Sequence, residues 1–174
     1  ETFAILNMGE SKTTIVIFRD NAARFTREIA IGGKHCTQRI AETLGCSPAE
    51  AEEIKRGNRE DEAFAICKEI LQNLASEIRL SLDYFSSEDS LQIKAPGEDL
   101  GPEDSSHVAK IFAIGDNASR LKARDFLSQQ LEIPIELWMP RVNLEFDNED
   151  AKKKFLENIN RLTVALGLAV TEND

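Results

Sequence analysis

The chain is predicted to be an α/β protein: a five-stranded mixed sheet with helices over it and a helical lobe inserted after the third strand. Three observations point there. Residues 4–31 hold three β-rich runs separated by turn residues. Residues 34–85 change to helical periodicity. Residues 110–138 then read strand, helix, strand, an order that requires a right-handed crossover and parallel pairing. Hairpins set strands one to three side by side, and crossovers add four and five next to one. The expected sheet order is therefore 3-2-1-4-5, with strand two antiparallel to its neighbours.

Strand one is Ala4 to Met8, strand two Thr13 to Arg19 and strand three Ala23 to Ile31, all rich in Val, Ile, Phe and Thr. Gly9 and Asp20-Asn21 supply the hairpin turns. Gly9, followed by Ser11, Thr13 and Thr14, offers backbone N–H and hydroxyl donors to an anion. The same stretch reads equally as a plain β-meander, since short glycine motifs often carry no ligand. Gly32 and Gly33 open the first helix, and without side chains they let a backbone or a ligand come close.

That helix spans Lys34 to Leu44, with Cys36, Ile40 and Leu44 four apart, and Gly45 stops it. Ser47-Pro48-Ala49-Glu50 opens the next: Ser is the N-cap, Pro sits at N1, and Glu completes a capping box. It runs to Arg56 and ends at Gly57-Asn58. A long helix follows from Glu60 to about Phe85, its apolar stripe formed by Phe64, Cys67, Leu71, Leu74, Ile78, Leu82 and Phe85. Residues 86–107, dominated by Ser, Glu, Asp, Pro and Gly, are expected to be a flexible acidic connection, with Leu91 and Ile93 hinting at a brief strand. Lys110 to Ile114 is the fourth strand, with a sharp turn at Gly115-Asp116-Asn117. A helix from Ser119 to Leu131 and the strand Pro134 to Trp138 follow. Asp147 to Asp150 cap a last helix whose Phe155, Ile159, Leu162 and Leu166 side is expected to pack on the sheet.

Composition narrows the function. With 41% hydrophobic and 30% charged residues, the chain has what a packed globular core needs. A net charge of -10 argues against a nucleic-acid partner. No apolar run approaches the ~20 residues that span a bilayer, so direct membrane insertion is not expected. Three cysteines at unrelated spacings form no disulfide framework, which favours a reducing, cytoplasmic setting. The chain starts almost inside a strand and without an initiator Met, so it is read as a piece of a longer protein. His35-Cys36 and Cys46 lack a second close pair for a tetrahedral metal set, and a Cys–His nucleophile could be named only by arbitrary pairing. Cys67 sits in the apolar stripe and reads as core, and Cys36 and Cys46 read as core or helix-end residues. Trp138 at the end of the last strand reads as packing on the sheet edge, with a docking role as the other reading.

The segments FTREIAIGGKHCTQRIAETLG, SPAEAEEIKRG, IFAIG, SRLKARDFLSQQLEIPIELWMP and LTVALGLAV, in this order and spacing, resemble the PilM family of type IV pilus assembly. The resemblance covers nearly the whole chain and implies the second half of an actin-like ATPase (ribonuclease H-like) fold. Residues 1–46 plus 108–174 would then form subdomain 2A, and 47–107 an inserted helical subdomain 2B. The division protein FtsA shares the Gly-Gly and AE-x-IK patterns. Here, however, Gly57 leads almost directly into the long helix, and no amphipathic tail follows Val170.

The resemblance also implies a nucleotide site, and its motifs are altered. The second phosphate loop of such proteins reads D-x-G-x-x-x-T; here it is Asn7-Met8-Gly9 with Thr13, and an amide can neither attract Mg²⁺ with a charge nor act as a base. Glu52 and Lys55 match positions that contact ribose and adenine in relatives; without the resemblance they read as a solvated helix pair worth ~0.2–0.5 kcal/mol. Gly115-Asp116-Asn117 replaces a glycine pair, with Asp116 adding bulk and a carboxylate beside a polyanion. The candidate ligand residues are thus Asn7, Gly9, Ser11, Thr13, Gly32, Gly33, Glu52, Lys55, Gly115, Asp116 and Asn117. No catalytic residue or metal ligand is assigned. ATP or ADP with Mg²⁺ is expected to bind weakly or not at all, and hydrolysis to be lost.

By the same resemblance, the protein acts as a cytoplasmic scaffold at the inner membrane. There it would be recruited by the tail of an inner-membrane pilus protein, mainly through the half absent from this chain, and would meet other pilus components. Self-association is left open. The alternative is an active ATP-binding lobe, of an FtsA-like division protein or of the cytoplasmic domain of type II secretion.

Overall fold

The computed structural model describes residues 1–91, 107–120, 122–138, 147–155, 158 and 162. Its elements in chain order are β1 (Thr2–Met8), β2 (Thr13–Arg19), β3 (Ala22–Ile29), α1 (Gly33–Leu44), α2 (Pro48–Arg56), α3 (Glu60–Leu91), β4 (Lys110–Ile114), a 3₁₀ turn (Asp116–Ser119), α4 (Ala123–Leu131) and β5 (Ile135–Leu137). The five strands form one sheet in the order β3-β2-β1-β4-β5. The pairs β1–β2 and β2–β3 are antiparallel, and β1–β4 and β4–β5 are parallel, as the hairpin and crossover reading requires. Chain chemistry sets the turns. Asp20 and Asn21 both adopt positive φ (51° and 61°), the type I′ geometry whose twist matches the flanking strands.

Alternation along β1 and β2 buries Ala4, Leu6, Met8, Ile15 and Ile17 on one face. Leu71, Leu74, Ile78, Leu82 and Phe85 of α3, with Phe126 and Leu127 of α4, cover that face. A second cluster, Cys36, Ile40, Ala51, Ala63 and Cys67, joins α1, α2 and the first half of α3. The long helix therefore serves both cores. Ser47 and Glu50 form the expected capping box, and Gly45 closes α1 at φ 64°.

Several boundaries differ from expectation: β1 begins at Thr2 instead of Ala4, β3 ends at Ile29 instead of Ile31, and β5 spans only Ile135–Leu137. The long helix runs on to Leu91, because neither glycine nor proline interrupts the chain there. Leu91 thus ends a helix instead of entering a strand, while Ile93 lies outside the described residues. The helix expected from Ser119 starts only at Ala123: the chain first makes the 3₁₀ turn, and Lys122 adopts a left-handed conformation (φ 50°) that separates the two. Residues 149–155 are helical, and the Asn148 side chain caps them by accepting from Ala151 N at 2.8 Å. Ile159 and Leu166 lie outside the described residues, and Leu162 is partly exposed. Among the described residues, no helix is long and apolar enough to cross a membrane.

Candidate functional site

β1 and β4 run parallel, and beyond their carboxyl ends opens a cleft of about 710 Å³. A crevice at this place in an open α/β sheet is where ligands bind. Its walls are the end of β1 with the following turn (Asn7 to Glu10), one side of α1 (Lys34, Thr37, Gln38), one side of α2 (Pro48, Ala49, Glu52, Lys55, Arg56) and the turn after β4 (Gly115 to Asn117). Seven of the eleven residues singled out in sequence meet here: Asn7, Gly9, Glu52, Lys55, Gly115, Asp116 and Asn117. Ser11 sits exposed at the hairpin tip, outside the lining. Thr13, Gly32 and Gly33 lie behind the cleft, around a small cavity of about 30 Å³.

The glycines at this site admit protein backbone. Gly33 N donates to Gly9 O at 3.0 Å and Lys34 N to Glu10 O at 2.8 Å, so the turn after β1 satisfies donors that the start of α1 would otherwise leave open. A Cβ on Gly32 would stand 2.5 Å from Glu10 O. Gly9 N is taken by Lys12 O (3.0 Å), and the Thr13 hydroxyl donates to Ile31 O (2.8 Å) from a buried position. The Asn117 amide donates to Gly9 O at 2.9 Å, pinning the turn after β4 to the hairpin.

Lys55 is not a solvated partner. It is only 4% exposed, and its Nζ reaches Gly33 O (3.3 Å), Thr37 Oγ1 (2.9 Å) and Glu52 Oε1 (2.5 Å). Three donors thus face three acceptors. Thr37 also hydrogen-bonds to Glu52. Burial pushes the Glu52 carboxyl upward, but hydrogen bonds from Lys55 and Thr37 and the charges of Lys55 and Arg56 outweigh it, and the pKa lies below the usual 4.5. A depressed carboxylate stabilises the fold above its unfolded pKa, and that contribution disappears as pH falls through the folded value. Glu52→Gln should therefore flatten the acid limb of the stability curve below about pH 4.5. Chemical unfolding at stepped pH checks this, and an unchanged acid limb would contradict it.

Asp116 brings the expected carboxylate to the cleft, but not as an unpaired charge. Its Oδ2 lies 3.4 Å from Arg56 Nη2 and its Oδ1 lies 3.4 Å from Arg120 Nη2, so two guanidinium groups flank it. Arg56 also meets Glu52 Oε2 at 3.4 Å. A chain of charges, Arg120–Asp116–Arg56–Glu52–Lys55, links the turn after β4 with α2. Arg56, Thr37 and Arg120 went unnoticed in sequence. Thr37 had a signal: it lies four residues beyond Gly33 and is a polar residue beside Cys36 on the buried side of α1.

The family model described as "Type IV pilus assembly protein PilM" matches residues 1–173. Among solved structures, the chain is similar to one titled "PilM-PilN type IV pilus biogenesis complex", with TM-score 0.77 and 23% identity over 100% of this chain and 46% of that one. MreB 5 of Spiroplasma citri bound to AMPPNP gives TM-score 0.59 and 11% identity, over 100% of this chain and 56% of that one. The ethanolamine utilization protein EutJ from Carboxydothermus hydrogenoformans gives 0.57 and 15%, over 78% and 43%. These similarities show an actin-like ATPase fold, and the chain spans about half the length of the structures it matches. No curated protein matches it.

Proposed function

The chain belongs to the PilM family of type IV pilus assembly proteins, and from that premise we propose that it is the second half of a scaffold that has kept the actin-like fold and given up ATP hydrolysis. One observation carries the reading: the motif donors expected to hold a polyphosphate in this half are engaged within the protein itself. Gly9 N, the Thr13 hydroxyl, the first N–H groups of α1 and the Lys55 ammonium all have acceptors within the chain. The residues present do not fit a Mg²⁺–triphosphate. Asn7 brings no negative charge to a hard cation that prefers carboxylate oxygens, and the Arg56 guanidinium is engaged by two carboxylates. No hydrolytic step is assigned to these residues.

In this proposal residues 1–46 with 108–174 form the sheet-bearing subdomain and 47–107 the inserted helical one. The protein works in the cytoplasm, held at the inner membrane by a partner of the kind in the PilM–PilN complex. A second reading, a nucleotide-binding lobe without turnover, is favoured by the cleft. Its 710 Å³ lies within the ~300–1,000 Å³ range of ligand sites, and MreB 5, a relative in fold, is solved with AMPPNP.

Asp116→Asn separates the two readings. Removing its charge frees Arg56 and Arg120 from an ion pair worth up to about 1 kcal/mol each, so calorimetry on the full-length protein should find ATP binding strengthened by about 3–10-fold over a very weak wild type. Micromolar or tighter ATP binding by the wild type, weakened by Asp116→Asn, would overturn the proposal.

A further inference from the structure

We propose that Cys36 and Cys67 form an oxidisable dithiol site that a hydroperoxide converts to an intrachain disulfide between α1 and α3. Both thiols are buried, at 4% and 0% exposure, in the cluster that joins α1, α2 and α3. Cys67 Sγ donates to the Cys36 carbonyl oxygen at 3.7 Å, so the two residues meet directly where α1 packs on α3. The small cavity behind the cleft, about 30 Å³, is lined by Cys36 together with Gly32 and Gly33. It has room for one water-sized molecule beside that sulfur.

The two thiols are unequal, which suits them to different steps. The neighbouring Cys67 thiol and the Lys55 ammonium lower the Cys36 pKa against burial, while the neighbouring Cys36 thiol and burial raise that of Cys67. Cys36 thiolate attacks one peroxide oxygen. The O–O bond breaks, an S–O bond forms, and hydroxide leaves to become water. The sulfur is oxidised to a sulfenic acid as the peroxide is reduced. Cys67 sulfur then attacks Cys36 sulfur; the S–S bond forms, the S–O bond breaks, and the oxygen departs as water with the Cys67 proton. In sum, two thiols and one hydrogen peroxide give one disulfide and two waters. The link fastens α1 to α3 directly behind the wall that carries Thr37.

Cys46 is the built-in control, because it is more exposed but lacks this environment. The folded chain is treated with a modest excess of hydrogen peroxide, quenched and denatured, and its free thiols are counted. The count should fall from three to one, peptide mapping should join the Cys36 and Cys67 peptides, and dithiothreitol should restore all three thiols. Cys67→Ser, which keeps a hydroxyl donor beside Cys36 but cannot form the disulfide, should trap Cys36 as a sulfenic acid that dimedone labels, whereas Cys36→Ser should leave Cys67 unlabelled. Survival of all three thiols, oxidation of Cys46 before the pair, or equal dimedone labelling of the two variants would overturn the proposal. If a variant does not fold, the peptide map of the unmodified chain decides alone.

Discussion

Replacing Lys55 with methionine is expected to lower the free energy of unfolding by about 2–4 kcal/mol. Lys55 is buried and holds three acceptors at once: Gly33 O, Thr37 Oγ1 and the Glu52 carboxylate. Methionine fills the space of the stem but takes the buried ammonium away from the Glu52 carboxylate, which keeps only Thr37 and Arg56, and from the Gly33 carbonyl, which keeps Thr37. Stranding a fully buried charge costs about 3–5 kcal/mol. Glu52 is 33% exposed, so water recovers part of the loss and the lower end of that range applies. Adding Glu52→Gln to Lys55→Met removes the stranded charge and should recover about 1 kcal/mol or more, a coupling that a double-mutant cycle reads directly. Urea unfolding of the four proteins supplies the numbers. A Lys55→Met effect within about 0.5 kcal/mol of zero, as at an ordinary surface position, would mean that the network is solvated and contributes little.

Gly115→Ala is expected to cost about 2–4 kcal/mol, because two penalties fall on one position. The residue has φ 93°, where an L side chain is strained, and a Cβ there would stand 2.6 Å from the Met8 carbonyl oxygen. That carbonyl ends a strand paired on both sides, so it cannot retreat cheaply. Gly45→Ala is the matched control. Gly45 has φ 64° but open space around the position of the missing Cβ, so it should lose only the conformational term of about 1–2 kcal/mol. Equal losses at the two positions would show that the approach of the turn after β4 to β1 is looser than described.

The sheet could be read from sequence because its determinants are local. Two-residue Asp20-Asn21 chemistry forces one hairpin, Gly9 permits the other, and a strand–helix–strand run leaves parallel pairing as the only right-handed solution. Much of the cleft was legible too, since the resemblance placed Asn7, Glu52, Lys55 and Asp116 at its rim. Occupancy of their donors and acceptors was not legible. It depends on which backbone groups the tertiary fold brings near: Gly33 O under Lys55, or Gly9 O beside Asn117. Asp116 shows the same limit. Sequence gives its charge, but only the packing of α2 against the turn after β4 sets Arg56 beside it, 60 residues away in the chain. The end of the long helix was misread for a different reason. Ser, Glu and Asp read as loop by composition, but a helix already nucleated by its buried stripe continues through them at little cost.

Phosphate release from Mg²⁺–ATP by the purified full-length protein tests the central claim, loss of hydrolysis, most directly. The expected result is no turnover above that of buffer, unchanged when Asn7 is replaced by alanine, because no group at this position holds the metal or activates water. Mg²⁺-dependent turnover by the unmodified protein, abolished by Asn7→Ala, would contradict it and would make this half a working part of an ATPase.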